Sequence, residues 1–329
     1  MYDTATVPTQ YASGTSGTTP YALPGAEPFP VLGYTTFWRI NTGASVEHAR
    51  VRQLFDAAGF KDCTPDTTSY RVALRRGIED WVKGGIVRYD PQGPVAAKPD
   101  FEARTLLRVI NKASSTHLVF ALVNEDVDYA ALGLDYSTEV RFLLNKEVGD
   151  LTVVSNGMLP QVIEGHVRPR YLHHRTHTSG ADIADGVRDC ITALSAVALR
   201  PRGGVYFVPG ACRPRLLLLK DMLQVLLPGA SLTMLPVPDS EAMKQELGQG
   251  VHDALLDELD AMAKELDRLR ASAPGSGTRT STVARKLVEY KEMRAKVRDY
   301  HNSLSVRRAD LDRTLDDLGE AALALIEGN

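Results

Sequence analysis

The chain has 329 residues, 43% of them hydrophobic and 24% charged, with a formal net charge of −3 at pH 7. That length exceeds what one small core needs, so two domains, or one domain with a long appendage, are expected. The slight acidity excludes a global attraction to nucleic acid or to an anionic membrane, and any such binding requires a local basic patch.

Residues 1–33 begin "MYDTATVPTQYASGTSGTTPYALPG", rich in Thr, Ser, Gly and Pro. Such a composition buries too little apolar surface to order itself and reads as a disordered arm, with Tyr2, Tyr11 and Tyr21 available for docking. It has neither the basic leader nor the apolar stretch of a signal or transit peptide. A globular body is expected over residues 34–238 and a helical hairpin over 239–329.

In the body, "TTFWRIN" (35–41) predicts a strand from its aromatic and β-branched residues. Ser45 is placed to cap a helix starting at Val46 and ended by Gly59, and a second helix is expected over "TTSYRVALRRGIEDWV". Beyond the Pro-rich loop 90–100, the runs "TLLRVIN", "HLVFALVN", "EVRFLLN" and "LTVVS" predict an antiparallel meander. Val140, Phe142 and Leu144 alternate with polar residues and should form its dry face. A helix over 181–200, with Ile183, Val187, Ile191, Leu194 and Val197 in one stripe, is expected to lie on that face. A strand "GGVYFVP", a helix "RPRLLLLKDMLQVLL" and a strand "ASLTMLPVP" complete the body.

From Ser240 to Arg270, Leu247, Val251, Leu255, Leu259, Leu266 and Leu269 recur at three- and four-residue steps, as in a coiled-coil seam. After the polar turn "ASAPGSGTRTST", a second helix is expected from Val283 towards Ile326, with its likeliest break at "YHNSLS" (300–305). Helices of this length should project from the body. The fold class is therefore α+β: an antiparallel β meander packed with helices, then a long antiparallel helical hairpin.

The segment "RPRYLHHRTHTSGAD" (168–182) concentrates the chemistry. On one helix, His173 and His177 would lie a turn apart, the spacing of two zinc ligands, but no glutamate base and no third ligand accompany them. Ser179 followed by Asp182 instead reads as a capping box that opens a helix. Arg168, Arg170 and Arg175, with Arg200, Arg202, Arg213 and Arg215 around "GGVYFVPG", would suit a phosphate backbone if the fold gathers them. Otherwise each is a solvated end or pairs with Asp182, Asp185 or Asp189.

A second basic run holds Arg279, Arg285, Lys286, Lys291, Arg294, Lys296 and Arg298. It can meet phosphates, yet the acidic "DALLDELDAMAKELD" upstream favours internal pairing. Glu125, Asp126, Asp128 and Asp135 lack the pattern of a calcium loop and read as a solvated turn. Gly203 and Gly204 read as a strand entrance, since no phosphate-loop lysine follows them.

Cys63, Cys190 and Cys212 lie far apart in the sequence with no CxxC pair, which argues against a disulfide framework or a thiolate zinc site and suits a reducing compartment such as the cytoplasm. No GxSxG elbow occurs, no cofactor motif is present, and no apolar run reaches the length of a membrane span. In its order of parts, "FWRINTG", meander, "GGVYFVP" and terminal helical hairpin, the chain resembles an uncharacterised family of bacterial and phage-encoded proteins of unknown function, which implies no activity for individual residues. The reading is a non-enzymatic nucleic-acid-associated or assembly protein that self-associates or docks through its hairpin. A metal-dependent hydrolase using the His cluster and a purely structural oligomer are the alternatives.

Overall fold

The computed structural model describes residues 30–83, 101–110, 116–128, 133–155, 160–200, 204–271, 279–304 and 308–327. The N-terminal arm up to residue 29, the Pro-rich loop, the tip 129–132 of the acidic hairpin, Arg202, Gly203 and residues 272–278 of the polar turn lie outside them.

In chain order the elements are β1 (Val31–Arg39), β2 (Ser45–Glu47), α1 (His48–Ala57), α2 (Tyr70–Lys83), β3 (Phe101–Ile110), β4 (His117–Asp128), β5 (Gly133–Asn145) and β6 (Leu151–Ser155). There follow α3 (Pro160–Thr176), β7 (His177–Ser179), α4 (Gly180–Thr192), β8 (Val197–Ala198), β9 (Tyr206–Pro209), α5 (Arg213–Leu226), β10 (Ser231–Pro238), α6 (Glu241–Ala271), α7 (Arg279–Leu304) and α8 (Arg308–Glu327). The fold is mixed α and β with antiparallel sheets, and it forms two compact units.

The first unit holds Phe37–Ala196 and Cys212–Thr233. Its sheet runs in the order β3-β4-β5-β6, each strand antiparallel to the next, as the meander pattern implies. Phe142 stands opposite Phe120 on one side and Val153 on the other. These three, with Val140 and Leu144, form the dry face, while Arg141 is exposed. Each large aromatic removed from water stabilises the unit by roughly 1.5–3 kcal/mol.

The face is covered by α2 and α3, through Leu74, Ile78 and Trp81 on one helix and Ile163, Val167 and Tyr171 on the other. This corrects the expectation that the helix after residue 181 would cover it. α4 packs instead with α5 and the 3₁₀ turn Lys61–Cys63. It ends at Thr192, and Ser195 takes a left-handed φ of 58° before β8 begins, so Val197 belongs to a strand and not to the helical stripe.

Two local expectations also change. Ser45 is not a cap: it lies in β2, and α1 begins at His48 after Glu47, with no side-chain cap. Residues 160–176 form a helix that continues through Pro169, because Ile163, Val167 and Tyr171 recur every four residues and are fully buried on one side.

Of the described residues, the second unit holds those up to Thr36, those within Val197–Ala211 and those from Met234 onward. β1 pairs antiparallel with β9 from Gly33 opposite Pro209 to Thr36 opposite Tyr206, and the sheet order is β10-β1-β9-β8. The seam residues Leu247, Val251, Leu255 and Leu259 are buried, as the three- and four-residue steps imply. They share one core with Leu32, Phe207, Val237 and Tyr300, so the helices pack on the sheet and do not simply project from it. The Tyr300 hydroxyl donates to the Phe207 carbonyl at 3.4 Å.

Lys286 reaches Glu265 at 2.7 Å and Lys296 reaches Glu258 at 2.7 Å. The acidic partners descend along α6 as the lysines ascend along α7, which marks an antiparallel pair. The second helix does not run unbroken to Ile326. It stops at Leu304, close to the expected break, and α8 lies against both α6 and α7, with Gly319 beside the Tyr290 ring.

Two substitutions test this packing. A Cβ on Gly77 of α2 would come 2.9 Å from the Tyr171 backbone nitrogen of α3, so Gly77→Ala should force the helices apart and lower stability by about 1–3 kcal/mol in urea unfolding. Glu258→Ala strips the buried Lys296 ammonium of the carboxylate that holds it, and in the same assay it should cost about 1–3 kcal/mol, more than Lys296→Met.

Candidate functional site

The stretch that concentrates chemistry in the sequence is a junction in the first unit. The last turn of α3 carries His173, His174 and Arg175, and the chain passes directly into β7. β7 is only three residues long, so it needs a partner, and β2 supplies one: Ser45 lies opposite Ser179, Val46 opposite Thr178 and Glu47 opposite His177. The Gly180 N–H then donates to the Ala44 carbonyl at 2.7 Å, and α4 begins.

The start of α4 follows the capping logic of the sequence. The Asp182 N–H donates to Ser179 Oγ at 3.2 Å, and Ser179 Oγ–H donates to Asp182 Oδ2 at 2.7 Å. The same carboxylate accepts both terminal nitrogens of Arg76 on α2, at 2.7 and 2.9 Å. These Arg76 hydrogen bonds hold the Asp182 carboxyl below its ordinary range, against the opposing effect of burial, and Asp182 in turn raises Arg76.

The imidazoles are tied down around this point. His173 and His177 lie on different elements, not a turn apart on one helix, and their rings stack at 4.0 Å between centroids with 22° between planes. His173 Nε2 meets Ser45 Oγ at 2.8 Å, and His174 Nε2 meets Asp80 Oδ2 at 2.6 Å. His48 Nδ1 meets the buried Thr178 hydroxyl at 2.9 Å, while its Nε2 is buried without a hydrogen-bond partner. Burial lowers the pKa of both His48 and His173. Arg52 adds to the effect at the first, and His177 and His174 add to it at the second.

This geometry limits the chemistry. A serine beside an imidazole becomes a nucleophile when a third group orients the base, yet Asp80 gives its Oδ2 to His174 and not to His173. Among the described residues, no three His, Cys, Asp or Glu side chains are grouped to hold a metal ion. Beside the junction, Thr67, Thr68, Ser69, Arg76, Asp182, Asp185 and Asp189 contribute to an open cleft of about 440 Å³.

Four of the candidate arginines have separate partners. Arg168 binds Glu164 and the Leu151 carbonyl, and Arg170 donates to the His166 carbonyl one turn back. Arg175 donates to the Thr68 carbonyl and lies over the Tyr70 ring at 4.0 Å, while Arg215 lies 4.9 Å above the Phe60 ring. Arg213 belongs to the same unit and Arg200 to the other. The acid that pairs across the junction, Asp182, takes Arg76, which the sequence pattern did not single out. Ser45, Asp80 and His48 were likewise missed, because they join the junction through a three-residue ribbon and a helix crossing that leave no periodic signal.

The model of a family of unknown function (DUF6744) matches residues 31–327, so the chain belongs to that family. No curated protein and no solved structure matches the chain. No helix among the described residues is long and apolar enough to cross a membrane.

The imidazole shifts set a pH dependence. With folded pKa values below the unfolded one, His48 and His173 bind fewer protons in the fold, so their contribution is complete above about pH 6.5 and is lost as pH falls through the folded values. Asp182, also depressed, keeps its contribution above the usual carboxylate range and loses it only at lower pH. Thermal melts should show a first decline just below about pH 6.5. A His48→Gln/His173→Gln variant should flatten that decline, and Asp182→Ala should lower stability at neutral pH by about 1–3 kcal/mol, because it removes the carboxylate that holds Arg76 and the Ser179 hydroxyl.

Proposed function

We propose that this member of a family of unknown function is a non-enzymatic nucleic-acid-associated assembly protein that meets the phosphate backbone with α7. The observation that carries the reading is the division of labour among the cations of that helix. Lys286 and Lys296 turn inward to Glu265 and Glu258, whereas Lys291, Arg294 and Arg298 stand exposed on one side, three and four residues apart. Arg298 keeps only a loose 3.9 Å approach to Asp299.

At 1.5 Å of rise per residue the three heads span roughly 10 Å, enough to follow a phosphate strand without any base-specific contact. Backbone binding through Arg168, Arg175 and Arg215 would instead require those guanidinium groups to leave a carboxylate, a carbonyl and aromatic rings. A helix that presents cations outward while its seam is buried suits assembly along a polyanion. Self-association of the chain, a cytoplasmic setting and a bacterial or phage origin belong to the same proposal.

Fluorescence anisotropy with single-stranded and duplex oligonucleotides tests it. Affinity should fall steeply between about 50 and 200 mM salt, because each neutralised phosphate releases counterions. The triple variant Lys291→Glu/Arg294→Glu/Arg298→Glu should bind at least tenfold more weakly, with a salt slope shallower by about three, one per lost contact. Arg168→Ala/Arg175→Ala should lower the melting temperature and leave binding intact. Wild-type protein that ignores both oligonucleotides at low salt, or a triple variant that binds as well as wild type, overturns the proposal.

A further inference from the structure

Two of the three cysteines, far apart in the sequence, meet in the first unit. Cys63 closes the 3₁₀ turn Lys61–Cys63, and Cys190 lies in the last turns of α4. The turn can approach the helix because residue 186 is glycine: a Cβ there would come 3.0 Å from the Cys63 carbonyl oxygen and 2.9 Å from Pro65 Cγ. Cys190 follows four residues later, one turn along the same face of α4, and the two thiols are close enough for each to influence the other's titration. Both are free, Cys190 fully buried and Cys63 partly exposed. The third cysteine is committed elsewhere, with its Sγ–H donating to the Leu194 carbonyl at 3.4 Å.

We infer that Cys63 and Cys190 are a reversible oxidative modification site, which a hydroperoxide converts to an intramolecular disulfide joining the Lys61–Cys63 turn to α4. Cys63, the accessible member, attacks one peroxide oxygen as thiolate. The O–O bond breaks, the leaving hydroxide takes up a proton to become water, and Cys63 becomes a sulfenic acid. Cys190 gives up its proton and attacks the Cys63 sulfur, the S–O bond breaks, and the departing hydroxide takes that proton to leave as a second water. In sum, two thiols and one hydrogen peroxide give one disulfide and two waters, and a small dithiol reverses the change by exchange.

The surroundings set the pace. Burial, followed by the negative charges of Asp189 and Asp62, raises the Cys63 thiol, with the neighbouring Cys190 thiol and Arg215 opposing. Burial also raises Cys190 strongly. The first step is therefore slow at neutral pH and quickens in alkali, while the second gains from the thiols being held together. The cleft lies between the same two segments: Pro65 to Ser69 follow the turn, and Asp182, Asp185, Gly186 and Asp189 belong to α4. The disulfide thus fixes one wall of the cleft to the other.

The test treats the full chain with hydrogen peroxide, blocks remaining thiols and maps the unreduced digest by mass spectrometry. Titratable thiols should fall from three to one, with a peptide linking Cys63 to Cys190, and dithiothreitol should restore all three. Cys212→Ser should leave the linked peptide intact, whereas Cys63→Ser and, independently, Cys190→Ala should abolish it. Three free thiols after oxidation, a linkage through Cys212, or a bond only between separate chains overturns the inference.

Discussion

The bidentate contact between Arg76 and Asp182 is the constraint on which the first unit depends. Arg76 comes from α2, one of the helices covering the meander, and Asp182 sits in the first turn of α4, which packs elsewhere. One carboxylate thus serves a guanidinium, the Ser179 hydroxyl and the end of a helix at once. An acid so placed also faces the positive end of α4, whose unpaired N–H groups favour negative charge. The α3–β7–α4 connection is therefore held by charge and hydrogen bonds, while the sheet beside it is held by Phe120, Phe142 and their neighbours.

Where apolar residues repeat, the sequence was legible. The meander, the alternation of Val140, Phe142 and Leu144, and the seam of α6 all follow from a period of two or of about three and a half, and burial bears them out. The capping of α4 by Ser179 was legible as well, since it needs only two residues at a fixed distance. What was hidden depends on partners remote in the chain. α3 was obscured by Pro169, although Ile163, Val167 and Tyr171 carry its period across the proline.

The same limit applies to the junction. That Ser45 would touch His173, or Asp80 meet His174, depends on how two helices and a short ribbon are folded together. The neighbours of the three free cysteines were hidden in the same way. Separation along the chain argues against a disulfide framework, yet a 3₁₀ turn laid on α4 brings Cys63 to Cys190. The break in the second long helix was foreseen near "YHNSLS", but the return of α8 onto α6 and α7 was not, because a polar seam marks a stop without saying where the chain goes next.

Ser179 does two jobs that share one backbone. It is the last residue of the β2–β7 ribbon and the cap of α4, and the Gly180 N–H just after it is held by the loop before β2. Neither feature can loosen alone. Peeling β7 from β2 withdraws the hydroxyl from the helix, and unwinding the first helical turn removes the anchor of the ribbon. The amide protons of both should therefore exchange with solvent as a single block, making this short crossing an all-or-nothing latch between α3 and α4.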